Sequence, residues 1–83
     1  MTQVNTIEQL IEMSDNGIHD FFIQLNGGCR SSKMIDYNYE TEKFDIVNEI
    51  DYSEQSLTRE QLMDEDCTNI GKAIKLGALY SYE

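Results

Sequence analysis

The sequence predicts one small α+β domain over residues 1–83, an antiparallel β-hairpin packed by three to four short helices, on three observations. KMIDYN and KFDIVNEI are rich in β-branched and aromatic residues and are joined by the polar YETEK, the signature of a hairpin. Two T-x-x-Q capping boxes, Thr6/Gln9 and Thr58/Gln61, stand just before apolar residues at helical spacing. The chain is 40% hydrophobic with no proline and no low-complexity segment, which puts it in the globular class.

Taken in order, Ile7, Leu10 and Ile11 follow the first box and predict a helix over about residues 7–14, stopped by Asp15-Asn16-Gly17. The run GIHDFFIQLNGG supports two readings. Ile18, Phe21, Phe22 and Leu25 fit a helical face that ends at Asn26-Gly27, and this helix is the preferred expectation. Phe22 and Ile23 also suit a strand, which would extend the hairpin to a three-stranded sheet. In the hairpin, Ile35 and Tyr37 alternate with Asp36 and Asn38, and Phe44 and Ile46 with Asp45, so one face is apolar. SLTREQLMDED reads as a helix opened by the second box, with Leu62 and Met63 inward. Thr68 or Asn69 caps a last helix through Ile70, Ala73 and Ile74, which Gly77 ends, and the tail ALYSYE lies back on the core through Leu79 and Tyr80.

Eighty-three residues bury only about 60–65% of the surface the unfolded chain exposes, so the core is small. A net charge of −10 opposes compaction and predicts a salt-responsive fold. It also predicts repulsion from nucleic acids and anionic membranes. The N-terminus lacks the apolar run of a signal peptide, and no stretch approaches a membrane span. Cys29 and Cys67 have no CxxC spacing, so free thiols and a cytoplasmic location are expected.

Most motifs for chemistry fail at their discriminating positions. DYNYETEKFDIV starts like a calcium loop with Asp36, Asn38 and Glu40, but it has Thr41 where the turn needs Gly and Val47 where a bidentate Glu is needed. Cys29 beside Arg30 suggests an activated thiol, yet the single histidine, His19, is expected in solvent rather than beside it. The acids and thiol of MDEDC read as a solvated helix end. No enzyme activity, metal or cofactor is expected. The loop GGCRSSK is more open: Gly27, Gly28, Arg30, Ser31, Ser32 and Lys33 compose either an anion-binding nest or a turn whose cations offset neighbouring carboxylates. It lacks P-loop spacing and precedes a strand rather than a helix.

The acids are the informative feature. Asp36, Asp45 and Glu49 fall on the hairpin face away from Ile35 and Phe44, with Glu40 and Glu42 at the turn, Asp51 beyond the second strand, and Tyr39 and Tyr52 as aromatic anchors. Such a carboxylate field imitates part of a phosphate backbone to a protein that binds nucleic acid, with inert solubility as the alternative.

FFIQLNGGCRSSK, FDIVNEID and TNIGKAI, together with the size, the acidity and the hairpin flanked by capped helices, resemble the small accessory proteins of phages and prophages, among them anti-CRISPR and other anti-defence inhibitors. The resemblance implies a stoichiometric inhibitor in the host cytoplasm, a monomer or homodimer that binds a nucleic-acid-binding defence protein and blocks its DNA site. Two rivals stand beside it: a small-anion or nucleotide-binding regulator using GGCRSSK, and an oligomeric adaptor whose self-interface uses Phe22, Met34 or Val47.

Overall fold

The computed structural model describes residues 1–25 and 27–83; Asn26, half of the expected helix stop, lies outside them. Among the described residues the chain forms β1 (Thr2–Gln3), α1 (Ile7–Asp15), β2 (Asp20–Ile23), β3 (Ser31–Asn38), β4 (Lys43–Asn48), β5 (Glu54–Thr58), α2 (Arg59–Met63), α3 (Ile70–Leu76) and β6 (Leu79–Ser81). The strands make one antiparallel sheet of order β1-β6-β2-β3-β4-β5. The α+β class and the β3–β4 hairpin follow the sequence reading. The sheet is twice as wide as the three strands allowed for.

Three corrections explain the difference. Residues 18–25 are not a helix: Asp20–Ile23 is a strand between β3 and β6. Phe21 and Ile23 enter the main core, whereas Phe22 is buried on the other face against Tyr80 and Tyr82. A strand that is apolar on both faces loses its period-2 signature, and its spacing then imitates a helix. The tail is likewise a strand, paired to β1 and β2. The segment before the second box, Glu54–Thr58, is also a strand, β5, with Leu57 buried, which the sequence reading did not include; the helix itself opens at its Thr58 cap as expected.

The caps work by the expected chemistry. Thr6 Oγ1 accepts from the Gln9 N–H (3.1 Å), and Gln9 Oε1 accepts from the Asn5 N–H (2.9 Å), one residue earlier than a standard box. At α2 the box is complete: Gln61 N–H donates to Thr58 Oγ1 (3.2 Å) and Thr58 N–H to Gln61 Oε1 (2.9 Å). Gly77 ends α3 at φ 68, the left-handed conformation glycine adopts without a steric penalty. Gln3 Nε2 donates to its carbonyl (2.8 Å) and ties β1 to this helix end.

All three helices bury their apolar residues against one face of the sheet. Leu10, Leu62 and Ile70 meet Phe21, Ile35, Phe44, Ile46, Leu57 and Leu79 in one core cluster. Strand pleating sends the intervening residues to the opposite, open face. There the rungs across β2 to β5 read Asp20, Met34, Val47, Glu54, then Asp36, Asp45, Ser56, then Asn38, Lys43, Thr58.

Candidate functional site

The open face carries the predicted acids as a strip. Asp36 and Asp45 stand directly opposite each other on neighbouring strands. Asp45 accepts from Ser56 Oγ (2.7 Å) on the next strand. Asp36 accepts from Ser14 Oγ (2.5 Å), and the same Ser14 oxygen accepts the Tyr37 N–H (3.0 Å). Ser14 reaches this position because β2 begins only at Asp20, so the end of α1 supplies the partner that β2 does not. His19 Nδ1 lies 3.5 Å from Asp36 Oδ1 and has no hydrogen-bond partner. The expected plain solvation of His19 is therefore corrected: its ring stands against Asp36. Neither Ser14 nor His19 was identifiable in sequence as a neighbour of Asp36.

The remaining predicted residues divide between the two ends of the six-residue β4, about 20 Å apart at strand rise. At one end is the β3–β4 turn, where Asn38 Oδ1 accepts from the Glu40 N–H (2.9 Å) and Glu42 takes a positive φ of 55. Tyr39 is less free than an anchor should be. Its hydroxyl donates to Asp15 Oδ2 (2.7 Å), which raises its phenol pKa, and its ring packs edge-on against Tyr37.

At the other end the 49–53 loop is held open by its own hydrogen bonds. Tyr52 N–H donates to the Asn48 carbonyl (2.7 Å), Asn48 N–H to the Ser53 carbonyl (2.9 Å), and Ile50 N–H to Asn48 Oδ1 (3.0 Å). The loop projects Ile50 (70% exposed) and Tyr52 (78% exposed) beside Glu49 and Asp51, with Tyr52 at φ 59. A bulky residue at positive φ persists only where its surroundings over-determine it. Ile50 was missed because KFDIVNEI reads as unbroken strand.

Asp51 Oδ1 accepts from the Ser53 N–H (3.0 Å), and this bond, with the Ser53 hydroxyl and the charge of Lys33 adding to it, holds the carboxyl below its usual 3.8. A depressed carboxylate stabilises the folded loop above the unfolded-state pKa, and that contribution is lost as pH falls through the folded value. The Ser53 amide, followed by NMR, should keep its shift and exchange protection down to pH 3.8 and lose them progressively below it. Asp51→Ala should remove the protection at every pH, whereas Asp51→Asn, which keeps an oxygen acceptor but no charge, should leave a weaker protection that no longer depends on pH.

GGCRSSK does not form one nest, because alternate residues leave for opposite faces of the sheet. Arg30 lies on the open face, its guanidinium 4.4 Å from the Phe22 ring centre, and donates to Gln24 Oε1 (3.4 Å). Ser32 bonds the Tyr82 hydroxyl on that face (2.5 Å). Ser31 and Lys33 face the helices and, with Gly28 and Cys29, line a cavity against α3. Gly27 borders a separate shallow groove with Met1 and Tyr80. Both cysteines are free and exposed.

Among the described residues no three metal-ligating side chains gather, and no helix is long and apolar enough to cross a membrane. No family model matches this chain, and no curated protein or solved structure matches it significantly.

Proposed function

We propose that this chain is a non-enzymatic binding protein that docks a basic, nucleic-acid-binding host protein on its open sheet face and blocks the site where that partner holds phosphates. Inhibition of a defence nuclease, as by the phage-type inhibitors, is the form this activity would take. The observation that carries the reading is the Asp36–Asp45 rung. Like charges directly opposite on paired strands destabilise a sheet by about 0.2–1 kcal/mol. Asp20 and Glu54 stand on the adjacent rung, and Lys43, two residues from Asp45 on the same face, forms no ion pair with it. A field of this kind opposes the fold and becomes favourable when a cationic surface lies on it. Ile50 and Tyr52 at its end supply the apolar contact that acids alone lack.

Phe22, at the centre of the aromatic cluster on the same face, is closed to direct nucleic-acid binding. Phe22 is only 1% exposed, covered by Arg30, Tyr80 and Tyr82, so no base can stack on it. For the same reason Phe22 is removed from any self-interface, which leaves the exposed Met34 beside the half-buried Val47.

The test uses Asp36→Asn/Asp45→Asn, which keeps both hydroxyl-bonded oxygens and removes both charges. Its melting temperature should rise by a few degrees, at about 4–8 °C per kcal/mol for a domain of this size. Nuclease-treated host lysate should yield a basic protein on the wild-type bait, displaced by duplex DNA and by salt. The double variant should bind it at least about 100-fold more weakly, from ~1.5 kcal/mol per lost charge pair. Equal capture by both baits at low salt would refute the reading.

A further inference from the structure

A second candidate site lies on the opposite side of the sheet, in a cavity of about 410 Å³ between the β2–β3 connection and α3. That volume is within the range of small-molecule pockets, roughly 300–1,000 Å³. Its composition runs against the rest of the surface. The chain has sixteen acids and six bases, yet two of the bases, Lys33 and Lys72, line this cavity, and among the described residues no carboxylate does. Neither lysine has an acid within ion-pair distance; Asp51, which senses the charge of Lys33, is outside the lining. Ile23, Leu25 and Ala73 form the apolar wall, and Leu25 is left 48% exposed.

We propose that this cavity binds a small organic anion with an apolar body, its carboxylate or phosphate held by Lys33 and Lys72 and its hydrocarbon laid against Ile23, Leu25 and Ala73. Ser31 and Asn69, also in the lining, add neutral donors for the anionic oxygens. The net charge of −10 does not prevent this. At physiological ionic strength screening acts over about 8 Å, so the two lining ammonium groups dominate the local field over acids elsewhere on the surface. The apolar body is required because exposed Lys–anion pairs alone are worth little, whereas every methylene buried against the apolar wall strengthens binding. The site is independent of the docking face, since it lies on the helix-covered side of the sheet.

The molecule carries its own reporter and control. Cys29 lines the cavity, and Cys67 is exposed in the acidic segment after Asp64, Glu65 and Asp66. The experiment is alkylation by iodoacetamide with octanoate, octyl phosphate, octanol or acetate present, each thiol being quantified by mass spectrometry. Octanoate or octyl phosphate should slow Cys29 about fivefold at a concentration about four times its Kd, by simple occupancy, and leave Cys67 unchanged. The more effective of the two identifies the preferred head group. Octanol and acetate should protect neither thiol, and Lys33→Gln or Lys72→Gln, both at positions with solvent access, should abolish protection. Equal protection by octanol, equal slowing of both thiols, or no protection of Cys29 would each overturn the proposal, and the first two of these need no variant to fold.

Discussion

Phe44→Ala is expected to lower the stability of the fold by about 3–5 kcal/mol, the range for deleting a buried aromatic side chain. Phe44 is fully buried on β4, opposite Tyr37 on one side and Leu57 on the other, with its ring 4.8 Å from that of Tyr37. The loss therefore extends beyond one cavity. Tyr37 in turn holds Tyr39 edge-on, and Tyr39 bonds Asp15 at the end of α1, so the substitution also loosens the link between hairpin and first helix. A domain of 83 residues has a total stability of roughly 4–12 kcal/mol at ~0.05–0.15 kcal/mol per residue. The variant should melt well below the wild type, most of all in low salt, where the charge of −10 repels itself most, and should be partly rescued by salt. Circular dichroism melts over a salt series check both parts. Phe44→Leu, which keeps most of the volume, should lose less than half as much, and equal losses for both would mean that burial at this position is not the source of the effect.

What was legible in the sequence tracks how local its cause is. The first helix was read within a residue of its end because its cap and its stop lie inside the segment they bound, and the T-x-x-Q box at Thr58 marked the start of α2 correctly. The β3–β4 hairpin was legible because one face is apolar and the other polar, so Asp36 and Asp45 were placed on the open face before any register was known. The failures have a non-local cause. Phe22 is buried by Tyr80 and Tyr82, almost sixty residues away, and no window around residues 18–25 contains them. The three-residue β6 and two-residue β1 are too short to show a period at all. The site followed the same division. The acids were visible, but Ser14 and His19 reach Asp36 only through the folded chain, and the separation of Arg30 from Lys33 depends on a strand parity that the loop does not announce.

Gly71 is buried in the first turn of α3, and its replacement is the second large effect expected. Helix propensity alone favours Gly71→Ala by about 1 kcal/mol, because glycine is the weakest ordinary residue in a helix interior. Packing opposes it. A Cβ on Gly71 would lie 2.5 Å from Met63 Cα, 2.7 Å from the Leu62 carbonyl oxygen and 2.9 Å from Met63 C. All three are backbone atoms of α2, so no side-chain rotation relieves the clash. Either α3 moves by close to an ångström or α2 does, and that displacement separates Leu62 from Ile70, both fully buried. Overpacking of this kind costs about 1–3 kcal/mol and sometimes more, with the loss of Leu62–Ile70 packing added to it. The net expectation is destabilisation by about 2 kcal/mol, a fall of about 8–16 °C in melting temperature. Gly17→Ala is the control: nothing lies within 4 Å of its Cβ, and only its φ of +80 opposes the change, worth about 1–2 kcal/mol. Gly71→Ser separates the two causes, since its added oxygen enlarges the clash at Gly71, whereas at Gly17 an unbranched side chain meets open space and carries the same φ penalty as alanine. A loss that grows from alanine to serine at Gly71, with little growth at Gly17, is the result the α2–α3 approach requires; a stabilised Gly71→Ala would mean that the two helices do not meet there.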